Sequence, residues 1–157
     1  MQRAAFAIVI SLTLTLGALA PADAAQDCPK RLQLRTPDQV LADHRAALAA
    51  GDLDLAMCNF AEDAVVIHDG GIDRGHEAIR ASLELLQTIF GGAVPTVTEE
   101  IIEPILNGPH THMVRLRFEL TLPFGSIPDG LDTYIITRGR IVAQTAHGLF
   151  IPAPPAP

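Results

Sequence analysis

An α+β domain is what this 157-residue chain predicts. Apolar residues recur at helical spacing in its first half and alternate strictly in its second, with glycine- or proline-bearing turns between the strands. Val40, Leu41, His44, Ala47 and Leu48 share one face of a first helix. Gly51 stops that helix, and Asp52 caps a short second one over Leu53 to Phe60. Ala64 to His68 follows as a strand in which Ala64, Val66 and His68 share a face. A glycine turn ends at Gly75, and His76 to Phe90 is a third helix with Ile79, Leu83, Leu86 and Phe90 on one side. Gly91-Gly92 terminates it.

Thr96 to Leu106 reads as a strand that Pro104 assigns to an edge or a bulge. His110 to Leu122 is the clearest strand: His112, Val114, Leu116, Phe118, Leu120 and Leu122 alternate with Met113, Arg115, Arg117, Glu119 and Thr121. Pro123 to Gly130 is expected as a loop, and Asp132 to Thr137 with Ile141 to Phe150 as a hairpin about Arg138-Gly139. Residues 152–157 form a Pro/Ala tail expected to be disordered.

The first 24 residues read as a signal peptide. Arg3 supplies the positive start, Ala4 to Ala20 carries no charge, and Ala22-Asp23-Ala24 is a small-x-small cleavage site. The apolar run, about 17 residues, is short for a membrane span; an uncleaved anchor is the alternative. Expected organisation is thus a signal peptide over 1–24, an arm over 25–36, one domain over 37–151 and the tail, with the product exported to a periplasm or secreted. Eleven Lys and Arg against eighteen Asp and Glu give a formal charge of −7. Lys30 is the sole lysine, so nucleic acid, which needs clustered cations, is excluded as a partner.

Cys28 and Cys58 are expected to pair, since an exported chain matures under oxidising conditions. The bridge would tie the arm to the helices and contribute about 3 kcal/mol in the chain-entropy model. Two free thiols are the competing state.

The run AGDLDLAMCNFAEDAVVIHDGGIDRGHEAIRASLELL (residues 50–86) resembles the nuclear transport factor 2-like superfamily, in particular its SnoaL-like and ketosteroid-isomerase-like members. The resemblance implies a strongly bent antiparallel sheet wrapped with three N-terminal helices into a cone whose open end is a pocket. Against the ketosteroid isomerases, aligned without gaps, His44 takes the place of the helix-one tyrosine that donates to the substrate oxyanion. His68 takes the place of the strand aspartate that shuttles the proton, and the second oxyanion-hole acid falls near Leu131 or Asp132.

The candidate catalytic set is therefore His68 as base, with His44 or Asp132 as partner. A register slip of one residue would put Asp69 in place of His68. The competing structural account is that His44 and His68 bond each other or the backbone within a partly filled core. Leu41, Val66, Asp69, His112, Val114, Leu116 and His147 are the expected ligand contacts. His110 and His112 with His147 or His68 would offer three nitrogens, but no carboxylate or cysteine stands at a fixed spacing, so no metal is expected. No nicotinamide, flavin or phosphate-loop pattern and no activated nucleophile appears, so no cofactor is expected.

With six Phe, one Tyr and no Trp, the pocket walls would be Leu, Ile and Val, suited to a small aliphatic or alicyclic ligand. The partners expected are a small apolar molecule and a second copy of the chain, joined through the convex face that bears Arg115, Arg117 and Glu119. Two functions remain open. One is cofactor-free proton transfer of the isomerase, cyclase or dehydratase kind; the other is a non-catalytic binding, accessory or assembly module.

Overall fold

The computed structural model describes Cys28, residues 31–105 and residues 110–154. The expected signal peptide and the last three tail residues lie outside these. After a 3-10 turn at Leu32–Leu34 come α1 (Pro37–Ala50), α2 (Leu53–Met57), β1 (Phe60–His68), β2 (Gly71–Arg74) and α3 (Gly75–Phe90). The remaining strands are β3 (Thr96–Pro104), β4 (Thr111–Leu122), β5 (Gly125–Thr137), β6 (Arg140–Gly148) and β7 (Ile151–Pro152).

Local chemistry explains the helix boundaries. The Thr36 side chain accepts from the Gln39 amide at 3.4 Å while Gln39 Oε1 accepts from the Thr36 amide at 3.0 Å, a reciprocal cap before Pro37. Gly51 closes α1 in the left-handed region (φ 71°), and Asp52 Oδ1 accepts from the Leu55 amide at 2.9 Å to start α2. The helix stops at Met57, and the backbone is already extended at Phe60, earlier than the sequence pattern suggests.

The seven-stranded sheet runs β2-β1-β6-β5-β4-β3, with β7 paired to β5. Its pairs are antiparallel except β1 with β6, which makes the sheet mixed. Register shifts at Phe60/Val65, Val97/Glu99, Phe118/Leu120 and Ile135/Ile136 curve it into an open, cone-like wall. β3 is an edge strand and carries Pro104 at its end, as the proline requires.

Three expectations are corrected. Residues 71–74 form a strand rather than a plain turn, because Gly71 to Arg74 pair antiparallel with Val65 to His68. The loop expected over 123–130 is mostly strand: β5 begins at Gly125, and Pro128 sits opposite the Phe118/Leu120 shift, where a missing N–H breaks no ladder bond. The tail's first residues are ordered, with Ile151–Pro152 paired to Gly125 and Ser126, and the Ala153 amide donates to the Phe124 carbonyl at 2.8 Å.

Two apolar clusters fill the cone unevenly. The main core joins Val40, Leu41, Phe60, Ile79, Val114 and Ile136 between α1, α3 and the sheet. A smaller cluster of Leu120, Leu122 and Ile127, with Phe90, Ala93 and Phe118 against it, lies further along β4. Cys28 and Cys58 are disulfide-bonded. Beside them Arg35 donates to Asp43 Oδ2 (2.9 Å), Asn59 Oδ1 (2.6 Å) and the Gly139 carbonyl (2.8 Å), which clamps the arm to α1, the α2–β1 junction and the β5–β6 turn.

Candidate ligand cavity

Between the two clusters lies a predominantly apolar cavity of about 540 Å³. Strand alternation places its polar groups. On β5, Asp132 and Tyr134 are two residues apart and so face the same side. Register sets Asp132 beside Leu116 and Ala146, and Tyr134 beside Val114 and Gln144. The Tyr134 hydroxyl donates to Asp132 Oδ2 at 2.9 Å, and Gln144 Nε2 donates to the Tyr134 oxygen at 3.3 Å. Burial raises the Asp132 pKa to about 6, against which the Tyr134 hydrogen bond acts. The Tyr134 phenol is raised well above its ordinary value, chiefly by burial and further by the neighbouring carboxylate.

His44 reaches the cavity from α1 and is 2% exposed. Its ring meets Phe60 edge-on at 5.2 Å. Burial lowers its pKa to about 4, the Ala56 carbonyl opposing and the Arg45 charge assisting, so it is neutral near pH 7. Its Nδ1 has no hydrogen-bond partner among the described residues. His44 and His68 do not bond each other.

His68 lines the cavity at the end of β1. Its Nδ1 accepts from the Gly70 amide at 3.1 Å, which assigns the ring proton to Nε2, donated to Asp73 Oδ2 at 3.1 Å. Both ring nitrogens are thereby engaged, and the lone pair that a base would use is held by the backbone. Asp69, one residue on, lies past the strand end and accepts from His147 Nδ1 at 2.7 Å. That bond holds the exposed Asp69 carboxyl below its usual range.

Of the expected contacts, Val66, Asp69, Leu116 and His147 line the cavity alongside His44, His68 and Asp132. Leu41 and Val114 do not: both are 0% exposed within the main core. His112 sits beside Pro104 and Ile136 at the far end of β4, away from the lining, and His110 is exposed in the preceding turn. Alternation reports which face a residue takes, not whether the space before it is filled, and this separates Leu41, Val114 and His112 from the lining. Tyr134 and Gln144, with Arg45, Ser82 and Gln87, are polar lining residues that sequence reasoning missed. The i, i+2 relation of Asp132 and Tyr134 in a hairpin strand is the signal that would have found the first.

No protein-family model and no curated protein matches the chain. Solved structures do match in shape. A candidate scytalone dehydratase from Novosphingobium aromaticivorans superposes with TM-score 0.61 at 16% identity, over 71% of this chain and 80% of that one. A candidate polyketide cyclase from Sinorhizobium meliloti gives TM-score 0.56 at 21% identity, over 73% and 97%. A nuclear transport factor 2-like protein of unknown function from Cytophaga hutchinsonii gives 0.55 at 16%, over 74% and 90%. The fold is that of the nuclear transport factor 2-like proteins.

Proposed function

We propose that this chain is an exported small-molecule-binding domain that carries out cofactor-free proton transfer on an apolar carbonyl compound, with Asp132 moving the proton. The observation that carries this reading is a carboxyl within a mostly apolar cavity, its pKa raised by burial to about 6, where a general base works near neutral pH. The Asp132 carboxylate takes a proton from the carbon beside the substrate carbonyl, and the C–H electron pair moves into an enolate. Gln144, whose Nε2 gives one hydrogen to Tyr134, has a second to donate to the enolate oxygen. The protonated Asp132 then returns its proton to carbon. His68 holds the β1–β2 hairpin at the cavity wall through Gly70 and Asp73.

The fold, common to the candidate polyketide cyclase and the candidate scytalone dehydratase, supports this reading. The disulfide supports maturation in an oxidising compartment. Among the described residues no helix is long and apolar enough to cross a membrane. The test is exchange of the α-protons of cyclohexanone in D₂O, followed by proton NMR. Exchange should rise through about pH 6 and fall at least about a hundredfold in D132N. Equal exchange by D132N and the native protein would remove Asp132 from the chemistry. A binding protein without chemistry is the second reading, favoured by the Tyr134 bond that already satisfies one Asp132 oxygen. Under it the native protein accelerates no exchange and D132N alters affinity alone.

A further inference from the structure

The cavity is polar at one end and apolar at the other. Strand register orders the rows along β4: Tyr134 and Gln144 lie level with Val114, Asp132 with Leu116, Gly130 with Phe118, and Ile127 with Leu120. On the β4–β6 wall the hydrogen-bonding groups therefore occupy the first two rows, while Ser82 and Gln87 line the cavity from α3. Beyond Leu116 the walls are Phe118, Leu120, Ile127, Phe90 and Ala93, which form the second apolar cluster. From Leu116 to Leu120 the strand advances about 13 Å. The space is long rather than round.

Charge narrows the occupant further. The lining carries Asp132 in the interior and Asp69 and Asp73 toward the end of the β1–β2 hairpin. Among the described lining residues Arg45 is the permanent cation, and its guanidinium is 3.3 Å from Glu100 Oε2. A ligand carboxylate placed in the polar rows would meet the Asp132 carboxylate with no free cation to offset it. His44 supplies an independent indication, because its unpartnered Nδ1 is a buried polar atom of the kind that proteins seldom leave unpaired. A hydroxyl head can complete it by donating to Nδ1, and a carbonyl head can accept the second Nε2 hydrogen of Gln144.

We infer that the cavity selects elongated neutral molecules, with a hydroxyl or carbonyl head bonded among His44, Asp132 and Gln144 and an unbranched aliphatic tail along Phe118, Leu120 and Ile127, and that it rejects the corresponding carboxylates. This inference rests on the ligand-binding half of the reading above and not on proton transfer.

Calorimetry of the full mature protein at pH 7.5 tests it with 1-hexanol, 1-octanol, 1-decanol, 2-decanone and decanoate. Affinity for the alcohols should climb by up to roughly fourfold per methylene, the increment for burying a CH₂. 2-Decanone should bind like 1-decanol, and decanoate about tenfold or more weaker, the signature of an unpaired charge beside Asp132. D132N should recover most of the decanoate affinity. Decanoate binding as well as 1-decanol to the native protein overturns the inference, and so does affinity indifferent to chain length. Persistent rejection of decanoate by D132N overturns the role given to Asp132. The native-protein comparisons stand alone if that variant does not fold. Discrimination without cyclohexanone exchange would retire the catalytic reading and keep this one; exchange without discrimination would do the reverse.

Discussion

Asp132 and His44 bear opposite burdens from the same burial. The Asp132 pKa is raised to about 6, so the folded state holds its proton longer than the unfolded chain does. Its contribution to stability is complete below its ordinary value near 4 and is lost as pH rises through about 6. The His44 pKa is lowered to about 4, so its contribution is complete above its ordinary value near 6.5 and is lost as pH falls toward 4. Each is worth at most roughly 3 kcal/mol, and across the same window the two oppose each other. Native stability between pH 4.5 and 6.5 should therefore change little on their account. D132N should lose stability on acidification, and His44→Gln should lose it as pH rises. Urea midpoints at the two pH values check both signs; a D132N protein as insensitive to pH as the native one would contradict the burial of His44. At this scale the sequence was partly legible. Strand alternation indicates that His68 faces inward, but the acceptance by His68 Nδ1 from Gly70 and the donation to Asp73 depend on a hairpin that reads as a turn in sequence.

Among the elements, β5 shows where pattern fails and why. Pro128 and Gly130 look like loop residues, yet they occupy a bulged strand in which the proline's missing N–H falls at the register shift. Gly130 has a reason beyond the backbone: a Cβ there would overlap the Phe118 ring, which lies across it. Gly130→Ala should displace Phe118 from the second apolar cluster and cost about 1–3 kcal/mol, read as a lower urea midpoint with unchanged slope. A neutral outcome would show that the ring moves freely. The face and the end of α1 were legible, and its signals are local. Thr36, Pro37, Gln39 and Gly51 act within a few residues of where they stand, and Thr36→Ala should cost about 1 kcal/mol. β2 was missed because four residues carry little pattern and its partner β1 supplies its order.

For the whole molecule, the order of helices and strands yields the α+β class, whereas the parallel β1–β6 pair does not follow from any local pattern. It extends the curved wall by joining the first long strand to the last long one, residues separated by some 80 positions in the chain. The disulfide and the Arg35 clamp fasten the arm to the same region. On the outer face Arg117 reaches both Asp129 (2.7 Å) and Glu99 (3.4 Å), so the surface considered for pairing two copies carries an exposed ion network. Exposed pairs of this kind contribute little individually. Reduction of Cys28–Cys58 should lower stability by about 3 kcal/mol, measured by urea unfolding with and without dithiothreitol; an unchanged midpoint would mean that Arg35 and its partners hold the arm unaided. The cavity itself was expected from the resemblance, but its polar row of Asp132, Tyr134 and Gln144 emerges only when β4, β5 and β6 are laid in register.

In the function proposed above, burial in an apolar cavity tunes the Asp132 carboxyl for proton transfer. Its most direct test is a carbon-13 NMR titration of the aspartate side-chain carboxyls, with D132N identifying the Asp132 resonance. A midpoint near pH 6 is expected. A midpoint at or below about 4, the ordinary aspartate value, would mean that Asp132 is solvated and that the cavity holds no base of the kind described.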